Sequence, residues 1–376
     1  NMGVDAFRVD TAKHISRLTF NNFFNPVYKA VGGDKFFMFA EVCTKSSQVW
    51  YRGETPALSA AFYTWKDSKE YDWTYYSEEV EAQYDAYAEE EPEKVRSDFD
   101  KELDYDNWRL DNEAEKGLAH ALNMQSAEEE YNDNANDVRG QNVKPGGTAQ
   151  SEQPVSTNAF LNGNNYHTPD TSMQSGLNVI DFTMHWNFSS AKKAFDAVTK
   201  NYDYKTGTVG NQITEGGDYT YNDSTWNVTY VDSHDFSPEG QYEFRYDKGK
   251  EAWAENLCLM FTFRGIPCLY YGSEVEFQKG LKIDPAAGDG IFANSGRAYF
   301  GDYLEGEVSA SDFGEYTASG AVKETLEAEL SQHLIRLNKI RRAVPALQKG
   351  QYSLADITCG EGGMAFKRRY TTSDID

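Results

Sequence analysis

Short apolar runs alternate with helix-length amphipathic stretches along this chain, and few architectures accept that pattern. Residues 4–10 read as a buried strand that ends on polar groups. Residues 16–31 follow with Leu18, Phe23, Val27 and Tyr28 at helical spacing. Residues 36–42, 177–185, 227–232 and 266–271 repeat the strand pattern. Helices are expected over about 189–200 and over 250–263, where Trp253, Leu257, Met260 and Phe261 share a face. A long helix over 321–342, with Leu326, Leu330, Leu334, Leu337 and Ile340 at threes and fours, is expected to stop before Pro345. Strands separated by helices call for parallel pairing with helical crossovers. With no Gly-rich dinucleotide turn, a barrel is favoured over a doubly wound sheet. The expected fold is therefore α/β, a (β/α)8 TIM barrel. A closed barrel needs eight strands and five runs are legible, so the chain reads as N-terminally truncated. A barrel with open edges is expected to fold poorly and to be inactive on its own.

Residues 1–346 are assigned to the barrel and 347–376 to the beginning of a C-terminal all-β domain. The interval 43–175 is far longer than a usual strand connection and reads as an insertion. Between Asp67 and Glu115 it holds 19 acidic and 5 basic residues, more than half of the acidic excess behind the formal net charge of -24. The bland reading is a solvated helical face, with the Asn- and Gly-rich stretch after it a surface loop. Asp104, Asp106, Asp111 and Glu115 offer oxygen ligands, but Arg109 stands where an EF-hand needs glycine.

The charge disfavours nucleic-acid backbones and anionic membranes as partners. No apolar run approaches the ~20 residues of a membrane span, so membrane insertion is not expected. With 25 Tyr, 22 Phe and 7 Trp among 376 residues, disorder is excluded. A face that stacks on sugars and an aromatic core explain the rings equally well. Four cysteines lack the spacing of a zinc or redox site. Cys258 and Cys268 could reach each other, but both are read as small buried hydrophobes.

Three carboxylates stand where strand runs end: Asp10, Glu41 and Asp235. In a parallel barrel those ends converge on one face, so acids distant in sequence meet there. One such acid is weak evidence, since acids also cap helices; three together point to glycoside hydrolysis by a pair of carboxyl groups. Arg8, on the same side of its strand as Asp10, is expected to hold that group ionised as the nucleophile. Glu41, approached by Phe36, Phe37, Met38 and Phe39 and crowded by the other acids, is expected to stay protonated as the acid. Asp235, with His234 beside it, is expected to grip sugar hydroxyls.

At these residues the chain resembles a family. Gly3–His14 (Gly-Val-Asp-Ala-Phe-Arg-Val-Asp-Thr-Ala-Lys-His) is similar to the nucleophile motif of the α-amylase superfamily of retaining glycoside hydrolases. Phe39–Val42 (Phe-Ala-Glu-Val) resembles its acid motif and Tyr230–Asp235 (Tyr-Val-Asp-Ser-His-Asp) its third-acid motif. Gly265–Glu274 (Gly-Ile-Pro-Cys-Leu-Tyr-Tyr-Gly-Ser-Glu) resembles its eighth barrel strand. The resemblance implies that Asp10 is nucleophile, Glu41 acid/base and Asp235 transition-state stabiliser, with Arg8 and His234 as substrate or carboxylate contacts. It also numbers the strands from four to eight, with the insertion after the fifth. Lys13 and His14 resemble the pair at the leaving-group side of α-amylases, where the carbonyl matching His14 ligates a structural calcium. The family's first motif has no counterpart here.

The implied function is a retaining endo-hydrolase of internal α-1,4 bonds. Its substrate would be an α-glucan polysaccharide or maltooligosaccharide, its cofactor structural calcium and its state monomeric. A maltogenic or glucan-transferring sibling, or a catalytically silent carbohydrate-binding relative, is the alternative. A polymeric substrate would place the protein outside the cell.

Overall fold

The computed structural model describes residues 4–12, 25–31, 35–43, 46–48, 57–65, 85–86, 89, 156–161, 169–182, 184–185, 218–235, 243–284, 295–299, 305–312, 315–353 and 365–371. In chain order its first elements are β1 (Ala6–Val9), α1 (Asn25–Val31), β2 (Phe37–Ala40), β3 (Ser46–Gln48), β4 (Ala57–Ser59), β5 (Asn178–Val179) and β6 (Val228–Thr229). Then come α2 (Lys250–Thr262), β7 (Ile266–Pro267), β8 (Val308–Asp312), β9 (Glu315–Ala318), α3 (Gly320–Glu327), α4 (Glu329–Ala343), α5 (Pro345–Lys349), β10 (Gln351–Ser353) and β11 (Lys367–Arg369).

β1 pairs in parallel with β2, Arg8 opposite Phe39 and Val9 opposite Ala40, and β2 pairs in parallel with β5. Ile180, directly after β5, forms a parallel bridge with Val228 of β6, and the Asp181 N–H donates to the Val228 carbonyl at 2.8 Å. β6 in turn pairs in parallel with β7. These strands thus lie side by side in the order in which the chain makes them, with β3 and β4 paired apart as an antiparallel hairpin, and all run one way. That is the order of a singly wound arc, since a doubly wound sheet reverses its order at a switch point.

Alternation along β2 sets the two faces of the arc. Met38 and Ala40 are fully buried with Val179, and Val27 and Tyr28 of α1 pack against that cluster. Phe39, on the opposite face, is half-buried and stacks on Phe37 with ring centroids 5.6 Å apart. Beside β7, α2 and α4 bury Trp253, Leu257, Met260 and Phe261 against Leu330, Leu334 and Leu337, a continuous aliphatic and aromatic core. Gly265 (φ +98°) makes the turn into β7; a Cβ there would lie 2.4 Å from the Thr229 side chain.

Several expectations need correction. Each strand is shorter than its apolar run, because the residues at its ends leave the ladder to cap or turn. Residues 182, 184 and 185, expected as strand, are helical: Asp181 caps that turn, its Oδ1 accepting from the Met184 N–H at 2.8 Å. The single long helix is two, α3 and α4, broken where Ala328 takes ψ 146°. Pro345 does not simply stop a helix; it opens α5 at a position that needs no N–H. Cys258 and Cys268 are exposed free thiols rather than buried hydrophobes. The first part of the helix expected over 16–31, the helix expected over 189–200, the acidic stretch 67–115 apart from residues 85, 86 and 89, and the EF-hand-like acids lie outside the described residues.

A buried ionic knot ties the arc to the C-terminal hairpin of β10 and β11. Arg264, just ahead of Gly265, is fully buried and pairs with Asp181 and with both oxygens of Asp218 at 2.6 Å. Tyr352 of β10 donates its hydroxyl to Asp218 Oδ2 at 2.6 Å, and its ring packs on Phe160 and Phe263.

Candidate active site

The parallel register of β1 and β2 places the residues just beyond them side by side. The Glu41 N–H donates to the Val9 carbonyl at 2.8 Å, and the Ala12 N–H to the Glu41 carbonyl at 3.0 Å. Asp10 and Glu41 therefore sit at one level at the carboxyl ends of the strands. Arg8 serves both, with Nη1 3.2 Å from Asp10 Oδ1 and Nη2 3.4 Å from Glu41 Oε2. The Thr11 N–H points at the same two groups, 3.1 Å from Asp10 Oδ1 and 3.3 Å from Glu41 Oε2. Thr11 achieves this at φ +45°, a conformation costly for a β-branched residue and a mark of sites held under strain.

The two carboxyls differ in surroundings. Asp10 is 65% exposed and Glu41 14%. A hydrogen bond from Glu41, then the Arg8 charge, holds Asp10 below its ordinary value of 3.8. Burial, then the hydrogen bond to Asp10, pushes Glu41 above its ordinary 4.5. Of the two, Glu41 is thus the group that takes up a proton more readily. The leading influence on Asp10 is Glu41 itself rather than Arg8. A separation of about 5–5.5 Å would be expected of the two carboxyls in a retaining site. In this structure the Arg8 guanidinium and the Thr11 N–H each reach both carboxyls and hold them together at the strand ends.

Arg8, Glu41, His234 and Asp235 all line one cavity of about 240 Å³, walled by Phe39, Tyr230 and Tyr270 among others. Asp10 stands outside that wall and is joined to it through Arg8 and Glu41. His234 Nε2 lies 3.0 Å from Asp235 Oδ2. Behind the cavity Tyr230 stacks on His185 at 4.4 Å; burial keeps that imidazole neutral, its pKa lowered to about 4. Lys13 and His14 lie outside the described residues, as do the aromatic and amide candidates Trp50, Tyr51 and 164–167.

Three groups at the site escaped sequence reasoning. Arg297 contacts Asp235 at 2.7 Å from a loop with no periodic signal. Arg245, buried, places its guanidinium 4.2 Å from the Tyr270 ring centre and fixes one cavity wall. Tyr230 lay in view inside the third-acid motif.

No family model matches the chain. Among curated proteins, an α-amylase of Streptomyces lividans is 31% identical over 164 residues, covering 41% of this chain and 17% of that protein. A cyclomaltodextrin glucanotransferase of Bacillus sp. (strain 38-2) is 29% identical over 127 residues, 34% of this chain and 16% of that protein. The chain is a relative of the α-amylase superfamily over part of its length. It spans less than a fifth of either relative. Among solved structures, an α-amylase of Geobacillus thermoleovorans complexed with acarbose overlaps 98% of this chain and 46% of its own at 13% identity, with a TM-score of 0.38. That overlap carries no argument, and the likeness to the superfamily stands on the two sequence matches.

Among the described residues, no group of three or more His, Cys, Asp or Glu is placed to hold a metal ion, and His14 is not among them. The calcium expectation thus rests on the Lys13–His14 pattern alone.

Proposed function

We propose that this chain carries the catalytic acids of a retaining enzyme acting on α-1,4-glucans, with the arc forming part of a (β/α)8 barrel. The observation that carries the reading is the Asp10–Glu41 pair: two carboxyls at adjacent strand ends under one arginine, one exposed and one largely buried, their pKa values pushed apart. In the proposed reaction an Asp10 oxygen attacks the anomeric carbon while Glu41 gives its proton to the glycosidic oxygen, so the aglycone leaves as an alcohol. Glu41, now ionised, takes a proton from water, whose oxygen displaces Asp10 and frees the sugar. Asp235 grips sugar hydroxyls as positive charge develops.

If a sugar hydroxyl replaces water in the second step, the same groups catalyse transfer. The match to a cyclomaltodextrin glucanotransferase favours that second reading as much as the amylase match favours hydrolysis. NMR of the first products from maltooligosaccharides tests the double displacement. The α-anomer is expected, from hydrolysis and transfer alike, and initial release of the β-anomer would contradict it.

Calcium held by the His14 carbonyl is proposed as the structural ion. Chelation is then expected to lower the Tm by several degrees, with recovery on adding calcium. A Tm indifferent to both treatments would remove calcium from the account.

A further inference from the structure

Asp235 is held by more than its neighbour His234. Arg297 places Nη2 2.7 Å from Asp235 Oδ1, donates from Nε to the His234 carbonyl at 2.8 Å, and stands 3.2 Å from Asp284 Oδ1. With His234 Nε2 on Oδ2, both oxygens of Asp235 are engaged, and the Asp235 N–H is bound to Ser233 Oγ at 3.1 Å. The carboxylate therefore has little freedom to turn away from the cavity it lines with Arg8 and Glu41.

The arm that carries Arg297 is itself anchored. The Gly296 N–H donates to the Lys282 carbonyl at 2.7 Å, and Tyr271 donates its hydroxyl to the Ala298 carbonyl at 2.8 Å. Gly296 packs so tightly on buried Arg245 that an added Cβ would meet its Cγ at 2.7 Å. The guanidinium thus approaches Asp235 from a fixed base, through a planar fork that serves a carboxylate and a carbonyl together. An ammonium cannot reproduce that geometry.

We infer that Arg297 is a positioning residue that sets the orientation of Asp235 toward the bound sugar. The inference rests on the glycosidase reading above. Loss of the fork lets the carboxylate rotate, and misplacement of about 1 Å near the reacting centre costs on the order of 10²-fold. An ordinary partly exposed ion pair, by contrast, contributes little to stability.

The test is a double-mutant cycle in the full-length protein, read by calorimetric binding of acarbose and by kcat/KM on maltooligosaccharides. Arg297→Ala is expected to weaken both by about 10–100-fold, and Arg297→Lys to recover only a minor part. In an Asp235→Asn background, Arg297→Ala should add less than about twofold. Asp284→Asn, an exposed change that frees one partner of the arginine, should show a smaller loss that also vanishes in that background. Equal penalties in both backgrounds, or an Arg297→Ala protein that binds and turns over normally, would overturn the positioning role. A wild-type protein that neither binds acarbose nor cleaves maltooligosaccharides would instead fail the glycosidase reading, and this inference with it.

Discussion

Glu41→Gln is expected to lower turnover of starch or maltooligosaccharides by about 10²–10⁴-fold while leaving substrate binding in place, because the amide keeps the shape of the acid but cannot deliver a proton. An aryl glycoside whose leaving group needs no proton should still form the glycosyl-enzyme in this variant. The pH profile carries the same argument. The reactive form is Asp10 ionised with Glu41 protonated, so the rate should rise as pH climbs through a midpoint below 3.8 and fall as pH climbs through one above 4.5. These midpoints belong to the pair, since each group shifts the other. Glu41→Gln should remove the alkaline limb on the activated substrate. The acid limb reads the ionisation of Asp10, whose pKa is held low first by Glu41 and then by the Arg8 charge. Unchanged starch turnover in Glu41→Gln would take the acid role away from that residue.

How much of this was legible in sequence follows from the range of each interaction. Asp10 and Glu41 could be read as partners because each ends an apolar run, and parallel pairing of consecutive strands needs no further information to set those ends side by side. That Arg8 and the Thr11 N–H would each reach both carboxyls was not legible, since it depends on geometry within a few ångströms. Asp235 was found through its motif, but Arg297, 62 residues further on, was not. Loop residues carry no period, and the fork is recognisable only once Gly296 has seated the arm on Arg245. Likewise the leucine spacing continues unbroken across Ala328, so nothing in the pattern announces the break between α3 and α4. Arg264 stood one residue ahead of a recognised motif, yet its partners Asp181 and Asp218 lie 83 and 46 residues away.

Arg264→Ala is expected to be the most destabilising of these substitutions, by about 3–5 kcal/mol, because it strands two carboxylates with no exposed surface of note. The deletion leaves Asp181 and Asp218 without their cation and removes the residue that ties them together beside Tyr352 of the C-terminal hairpin. The dependence on pH separates this charge effect from a simple cavity. Burial raises Asp218 to about 6, against the lowering pull of the Arg264 guanidinium. A carboxyl whose folded pKa lies above its unfolded value of 3.8 contributes stability that is full below 3.8 and is lost as pH rises through about 6. Without Arg264, which lowers that pKa, Asp218 must climb further, so the variant loses more stability than the wild type over the same rise in pH. The gap in unfolding midpoint between the two proteins should therefore be widest near neutral pH and narrow on acidification, as Asp218 is protonated and no longer needs a cation. Replacing the whole set, with Arg264→Met, Asp181→Asn and Asp218→Asn together, should recover much of the loss at neutral pH. A gap that is the same at about pH 4 and about pH 8 would mean that the arginine acts through its volume alone and that the knot is not an electrostatic one.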